Sequence, residues 1–124
     1  MKRGLFILIP AMALALAGRA LAAEPSGVIN AEPNPCRIKP GEKVCATHVT
    51  WSTQNVAHAR VIVKSEGKEE KEHEFSAQLA CEPHRCPAPW IRPETRYVFK
   101  LYDFSAGKLG RELSSVTVTA HVEK

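Results

Sequence analysis

A chain of 124 residues, 44% of them hydrophobic and 24% charged, has the length of one domain with a single core and is too short for several. Seventeen basic against thirteen acidic residues give a formal net charge of +4, a surplus that by itself invites a nucleic acid or an anionic membrane surface as partner. The position of the charges argues against that class: Lys2, Arg3 and Arg19 all lie within the first 22 residues, no acidic residue does, and beyond them the net charge falls to +1.

The first 22 residues read as a secretion signal. Lys2 and Arg3 precede an apolar run from Leu5 to Ala17, and Ala20-Leu21-Ala22 offers small side chains where a signal protease needs them. The basic pair stays on the anionic inner face while the run enters the bilayer, so residues 1–22 are expected as a signal helix cleaved after Ala22, and residues 23–124 as the domain. A permanent anchor requires about twenty uninterrupted apolar residues, and Pro10 and Arg19 confine this run to thirteen. Glu24 and Pro25 follow the small residues where a lipid-bearing cysteine would stand, so no stable membrane anchor is expected. The expected location is periplasmic or secreted.

After a short polar lead-in, Val28 to Ala31 reads as an edge strand that stops at Glu32-Pro33-Asn34-Pro35, because proline cannot serve a central ladder. Val44 to Thr53 alternates, with Cys45, Thr47, Val49 and Trp51 on one face and Ala46, His48, Thr50 and Ser52 on the other. Gln54-Asn55 breaks that run. Ala59, Val61 and Val63 then repeat the period-two pattern against Arg60, Ile62 and Lys64. Ser65-Glu66-Gly67-Lys68 is read as a hairpin turn, and the charged run Glu69 to Glu74, ending at Phe75, as a solvated edge strand. Cys81 to Trp90 carries Pro83, Pro87 and Pro89 and is read as a crossing loop. Two strong strands close the chain: Arg96 to Phe104, with Tyr97, Phe99 and Leu101 on one face, and Leu113 to Val122, with Val116, Val118, Ala120 and Val122 on one face. Six or seven strands with Pro/Gly turns and no helical period beyond residue 23 predict an all-β, antiparallel two-sheet sandwich.

Four cysteines in an exported chain imply disulfides, and four allow three pairings. Cys36 with Cys45 and Cys81 with Cys86 are the expected pairs, since each is close in sequence and encloses turn-forming residues. A zinc reading of Cys81, His84 and Cys86, with His73 and Glu82 nearby, lacks the paired half-site spacing of zinc ligands and competes with thiol oxidation, so no metal and no other cofactor is expected. A redox C-x-x-C is absent from the sequence.

Ile91-x-Pro93-x-Thr95-x-Tyr97-x-Phe99-x-Leu101 resembles the corner before the sixth strand of fibronectin type III and related immunoglobulin-like domains, where a tyrosine ring fills the core and its hydroxyl ties down the preceding loop. Trp51 matches the core tryptophan common in that family. Ile29-x-Ala31-x-Pro33-Asn34-Pro35-Cys36, Cys45, Trp51-Ser52-Thr53, Ala88-Pro89-Trp90-Ile91 and Leu101-Tyr102-Asp103 together are similar to a subgroup of bacterial exported immunoglobulin-like domains. The resemblance spans about residues 28 to 122. The Cys81 and Cys86 pair lies outside that pattern, and neither short staple would cross the core as the cysteine pair of antibody domains does.

Such a fold hosts many functions, so function is sought at a site. Ser52, Ser65 and Ser76 with His48, His58 and His121 supply nucleophile and base types, but none stands in a recognisable catalytic setting, and no glycine loop cradles phosphate. No enzyme activity is expected. Trp90 in the proline-rich loop, Tyr102 on the polar side of its strand and Phe104 beside the final turn are the candidate binding residues, because exposed rings stack on sugars or anchor a protein. The alternative for Trp90 is a plug at one end of the core against Trp51. The expectation is a binding module for a glycan or cell-envelope protein, or else an accessory subunit that acts by assembly with an envelope partner.

Overall fold

The computed structural model describes residues 24–67 and 70–124; the expected signal helix over residues 1–22 lies outside the described residues. The described residues form strands and no helix: β1 (Ser26–Glu32), β2 (Cys36–Ile38), β3 (Cys45–Gln54), β4 (Ala59–Gly67), β5 (Lys71–Ser76), β6 (Pro87–Ile91), β7 (Thr95–Asp103), β8 (Glu112–Val118) and β9 (Ala120–Val122). They assemble into a three-stranded sheet in the order β1-β3-β6, a four-stranded sheet in the order β5-β4-β7-β8, and a small β2-β9 pair. Every pairing within the two larger sheets is antiparallel.

Alternation decides which residues meet. Thr47, Val49 and Trp51 of β3, Ala59, Val61 and Val63 of β4, and Tyr97, Phe99 and Leu101 of β7 are all buried, as their period-two spacing predicts. With Ile29, Ala31, Ala88, Ile91 and Val118, these apolar side chains from both larger sheets form one core cluster. Each fully buried large aliphatic removed from water contributes about 1.5–3 kcal/mol, so this cluster is the main stabilising term. β-branched and aromatic residues dominate it because they suit a pleated, half-buried surface.

Tyr97 joins the core to the turn before it: its ring is buried, its hydroxyl accepts from the Arg92 amide at 3.1 Å and it donates toward the Trp90 carbonyl at 3.5 Å. Trp51 is held similarly, its indole N–H donating to the Gln78 carbonyl at 2.9 Å. Both disulfides form as the spacing predicts. Cys36–Cys45 joins β2 to the start of β3 across a Cα–Cα distance of 6.0 Å, and Cys81–Cys86 closes a tight loop at 6.4 Å. Two such bonds fit an oxidising, extracytoplasmic environment. Among the described residues no helix is long and apolar enough to cross a membrane.

Three readings change. The segment taken as a crossing loop contains β6, which pairs with β3 through Ala88↔Thr47 and Pro87↔His48. Proline is compatible there because β6 is an edge strand, and Pro87 and Pro89 face solvent while Ala88 and Ile91 are buried. The single closing strand divides at Thr119, after which β9 leaves β8 and pairs in parallel with β2. Asn34 brackets that switch: its amide donates to the Thr117 carbonyl at 2.8 Å and its side-chain oxygen accepts from the Thr119 amide at 3.4 Å. The hairpin turn begins later than Ser65, since β4 runs to Gly67 and Ser65 is paired with Lys71. Gly67 has φ 123°, and a Cβ there would lie 2.7 Å from the Glu94 carbonyl oxygen.

Candidate functional site

The outer face of the four-stranded sheet interleaves apolar and aromatic side chains with charged ones. Even-numbered residues of β4 and β7 point outward: Arg60, Ile62 and Lys64 stand opposite Tyr102, Lys100 and Val98 in the β4-β7 register. Ile62, Val98 and Tyr102 are half-buried there, lying between long neighbours that cover them in part. Phe104 follows at the end of β7, and the Arg60 guanidinium lies 3.9 Å from the centre of its ring. That stacking is worth about 0.5–1 kcal/mol at an exposed site and fixes the long arginine. Arg60 also pairs with Glu74 of β5 at 3.0 Å, and Lys100 with Glu112 at 3.6 Å.

Two of the three ring residues expected at the site are therefore brought together. Tyr102 and Phe104 share this outer face through Arg60, which stands across from Tyr102 in the ladder. Trp90 is not with them. It projects from β6 toward the interior side, half-buried, stacked on Phe99 with ring centres 6.1 Å apart and edge-on to Tyr97 at 5.4 Å and Phe75 at 6.4 Å. His73 of β5 lies against it at 6.0 Å. The indole thus closes the gap between the edges β5 and β6, and its packing partners are Phe75, Tyr97 and Phe99. A half-open pocket of about 170 Å³ is lined by Trp90 together with Val63, His73, Arg92, Thr95 and Tyr97. Arg60 and Ile62 are the site residues that the pattern alone did not single out, although an isoleucine on the wet face of β4 was the available signal.

Two of the three hydroxyls considered as nucleophiles serve the backbone. Ser65 Oγ accepts from the Lys71 amide at 3.0 Å, and Ser76 Oγ accepts from the Gln78 amide at 3.1 Å. Among the described residues no group of three or more His, Cys, Asp or Glu is placed to hold a metal, and Cys81 and Cys86 are bonded to each other. His84, from that loop, instead meets His48 of β3 with ring centres 4.9 Å apart. Nδ1 of His48 is buried without a hydrogen-bond partner among the described residues. Leaving such a group unsatisfied costs about 1–3 kcal/mol.

Asp103, at the end of β7, shapes the loop that leads to β8. Its carboxylate accepts from the Ser105 amide at 2.9 Å, and hydrogen bonds from Ser105 side chain and backbone, aided by the nearby Arg111 charge, hold its pKa below the ordinary carboxylate value. Its backbone accepts from the Gly110 amide at 2.8 Å and donates to the Arg111 carbonyl at 3.0 Å. The Asx-type turn so formed follows Phe104, whose ring lies under the Arg60 guanidinium.

Compared with protein-family models, with curated proteins and with solved structures, the chain matches none.

Proposed function

We propose that the chain is an exported, non-catalytic binding module of the fibronectin type III-like, immunoglobulin-like kind, and that it binds a cell-envelope protein through the outer face of the β5-β4-β7-β8 sheet. The strand order of three plus four and the Tyr97 hydroxyl bond to the loop before β7 support the fold reading. The leader supports export to the periplasm or beyond. One observation carries the functional reading: the cluster of Arg60, Ile62, Tyr102 and Phe104, interleaved with Lys100 and bordered by Lys64, Glu74 and Glu112. Arginine and aromatic residues grouped together are the side chains that dominate protein-binding hot spots. A sugar needs an open flat ring, whereas one face of Phe104 is covered by Arg60 and the Trp90 ring is surrounded by other rings. The outer sheet face therefore favours a protein over a glycan. Assembly as an accessory subunit would use the same surface.

A photo-crosslinking residue at position 62, in the cells that make the protein, should capture one envelope protein reproducibly. Against that protein after purification, Tyr102→Ala should weaken binding by about 2 kcal/mol or more, roughly thirtyfold, with the melting temperature near wild type. Trp90→Ala should instead destabilise the domain by up to about 3 kcal/mol, because it removes a ring from a packed cluster. Unchanged affinity in Tyr102→Ala, or glycan-array retention lost in that variant with no protein captured, would sink the protein-binding reading.

A further inference from the structure

The loop closed by Cys81–Cys86 places one histidine over another that lies far away in sequence. The loop is docked on β3 by the Val49 amide donating to the Cys86 carbonyl at 3.0 Å, and by Trp51 and Cys81 exchanging backbone hydrogen bonds at 2.9 and 3.1 Å. Within the loop the Arg85 amide donates to the Glu82 carbonyl at 3.2 Å, and His84 has φ 68°, a left-handed conformation that a side-chain-bearing residue rarely adopts. Backbone of this kind persists where its surroundings hold it, and it clusters at ligand sites. His48 occupies the face of β3 opposite to the core residues Thr47 and Val49, with Glu32 of β1 across from it in the ladder.

We propose that His48 and His84 together bind a borderline divalent transition-metal ion, with Cu²⁺ held more tightly than Zn²⁺ and solvent completing the coordination. Three observations converge. Metal–nitrogen bonds are about 2.0–2.1 Å long and a ring centre lies roughly 1.2 Å behind each nitrogen, so two imidazoles at right-angled or tetrahedral positions on one ion have centres about 4.5–5.3 Å apart. The observed separation of 4.9 Å falls within that range. Nδ1 of His48 lacks a hydrogen-bond partner among the described residues and so is committed to no other group. It is covered in the ion-free protein, and the exposed His84 ring, now edge-on to His48, must turn aside to admit the ion. The disulfide and three backbone hydrogen bonds fix the loop on β3, so little conformational freedom is lost on binding. Imidazole is a ligand for copper and zinc alike, and the general order of divalent affinities puts Cu²⁺ first. Two protein ligands without a thiolate set a modest affinity, suited to an exchangeable ion.

Titration of the untagged, disulfide-intact protein with CuCl₂ and with ZnCl₂, followed by calorimetry and, for copper, by electron paramagnetic resonance, tests the site. One equivalent of Cu²⁺ should bind with a Kd on the order of micromolar, with two nitrogen ligands in the spectrum and Zn²⁺ binding more weakly. His84→Asn suits the left-handed backbone and lies on an exposed loop, so it should fold and bind copper on the order of tenfold more weakly or worse. His48→Gln should do the same, while His58→Gln, His73→Gln and His121→Gln should leave affinity unchanged. Retention of wild-type affinity in His84→Asn, or absence of saturable binding to the wild type, would overturn the proposal.

Discussion

Tyr97 combines two contributions that can be separated by one atom. Its ring belongs to the core and its hydroxyl belongs to the turn, where it accepts from the Arg92 amide. Tyr97→Phe keeps the ring and strands that amide, so it should cost about 1–2 kcal/mol in urea unfolding with an unchanged slope. Asp103 gives a pH-dependent counterpart. Its pKa is lowered in the folded protein by the Ser105 hydrogen bonds, so the stability it contributes is fully present above the unfolded carboxylate value. That contribution is lost as pH falls from the ordinary value of 3.8 through the lower folded one. Thermal melts of wild type and Asp103→Asn should therefore differ at neutral pH and converge in strong acid, and the difference should be small because solvent screens this group. Tyr97 was legible from its place in an alternating run, since burial repeats every second residue. Arg60 was not, because its role comes from Glu74, Phe104 and Tyr102, which only the folded sheet puts beside it.

Strands with several alternating residues were read from the sequence with small errors at their ends, whereas β2 and β6 were missed and β9 was read only as the continuation of β8. β3, β4 and β7 repeat buried and outward residues over nine or ten positions, enough for the period to stand out. β6 has alternating prolines, a composition that excludes a central strand and also fits an edge. β2 and β9 have three residues each and are defined only by pairing between segments more than eighty residues apart, which no local pattern encodes. The cysteine pairs were legible because short spacing around turn-forming residues leaves few workable geometries. Their energetic weights should differ. Chain-entropy arguments give roughly 3 kcal/mol for the loop closed by Cys36–Cys45 and roughly 2 kcal/mol for the shorter Cys81–Cys86 loop. Guanidinium unfolding of the Cys36→Ala/Cys45→Ala and Cys81→Ala/Cys86→Ala double variants should rank them in that order, the more so because Cys36 is fully buried.

At the scale of the whole molecule, the two proposed sites lie on different sheets. The outer face of the four-stranded sheet bears Tyr102 and Phe104, while His48 and the loop bearing His84 lie on the three-stranded sheet. The first pair was visible as aromatic residues outside the buried register, but the second was hidden by a separation of 36 residues between a strand and a loop. Strand direction has a further, mechanical consequence. Ser26 begins β1 opposite Gln54, at the end of the sandwich where Ala59 meets Asp103. β8 runs away from that end, from Glu112 beside Tyr102 to Val118 beside Tyr97, and β9 continues to Val122 alongside β2. The two terminal strands thus lead out at opposite poles, each lying along the line that joins them. Tension between the ends would load the β1-β3 and β2-β9 ladders in shear, so several backbone hydrogen bonds must yield together, and the Cys36–Cys45 bond ties β2 covalently to β3 behind them. A domain held in this way passes a pull along its length before it gives way.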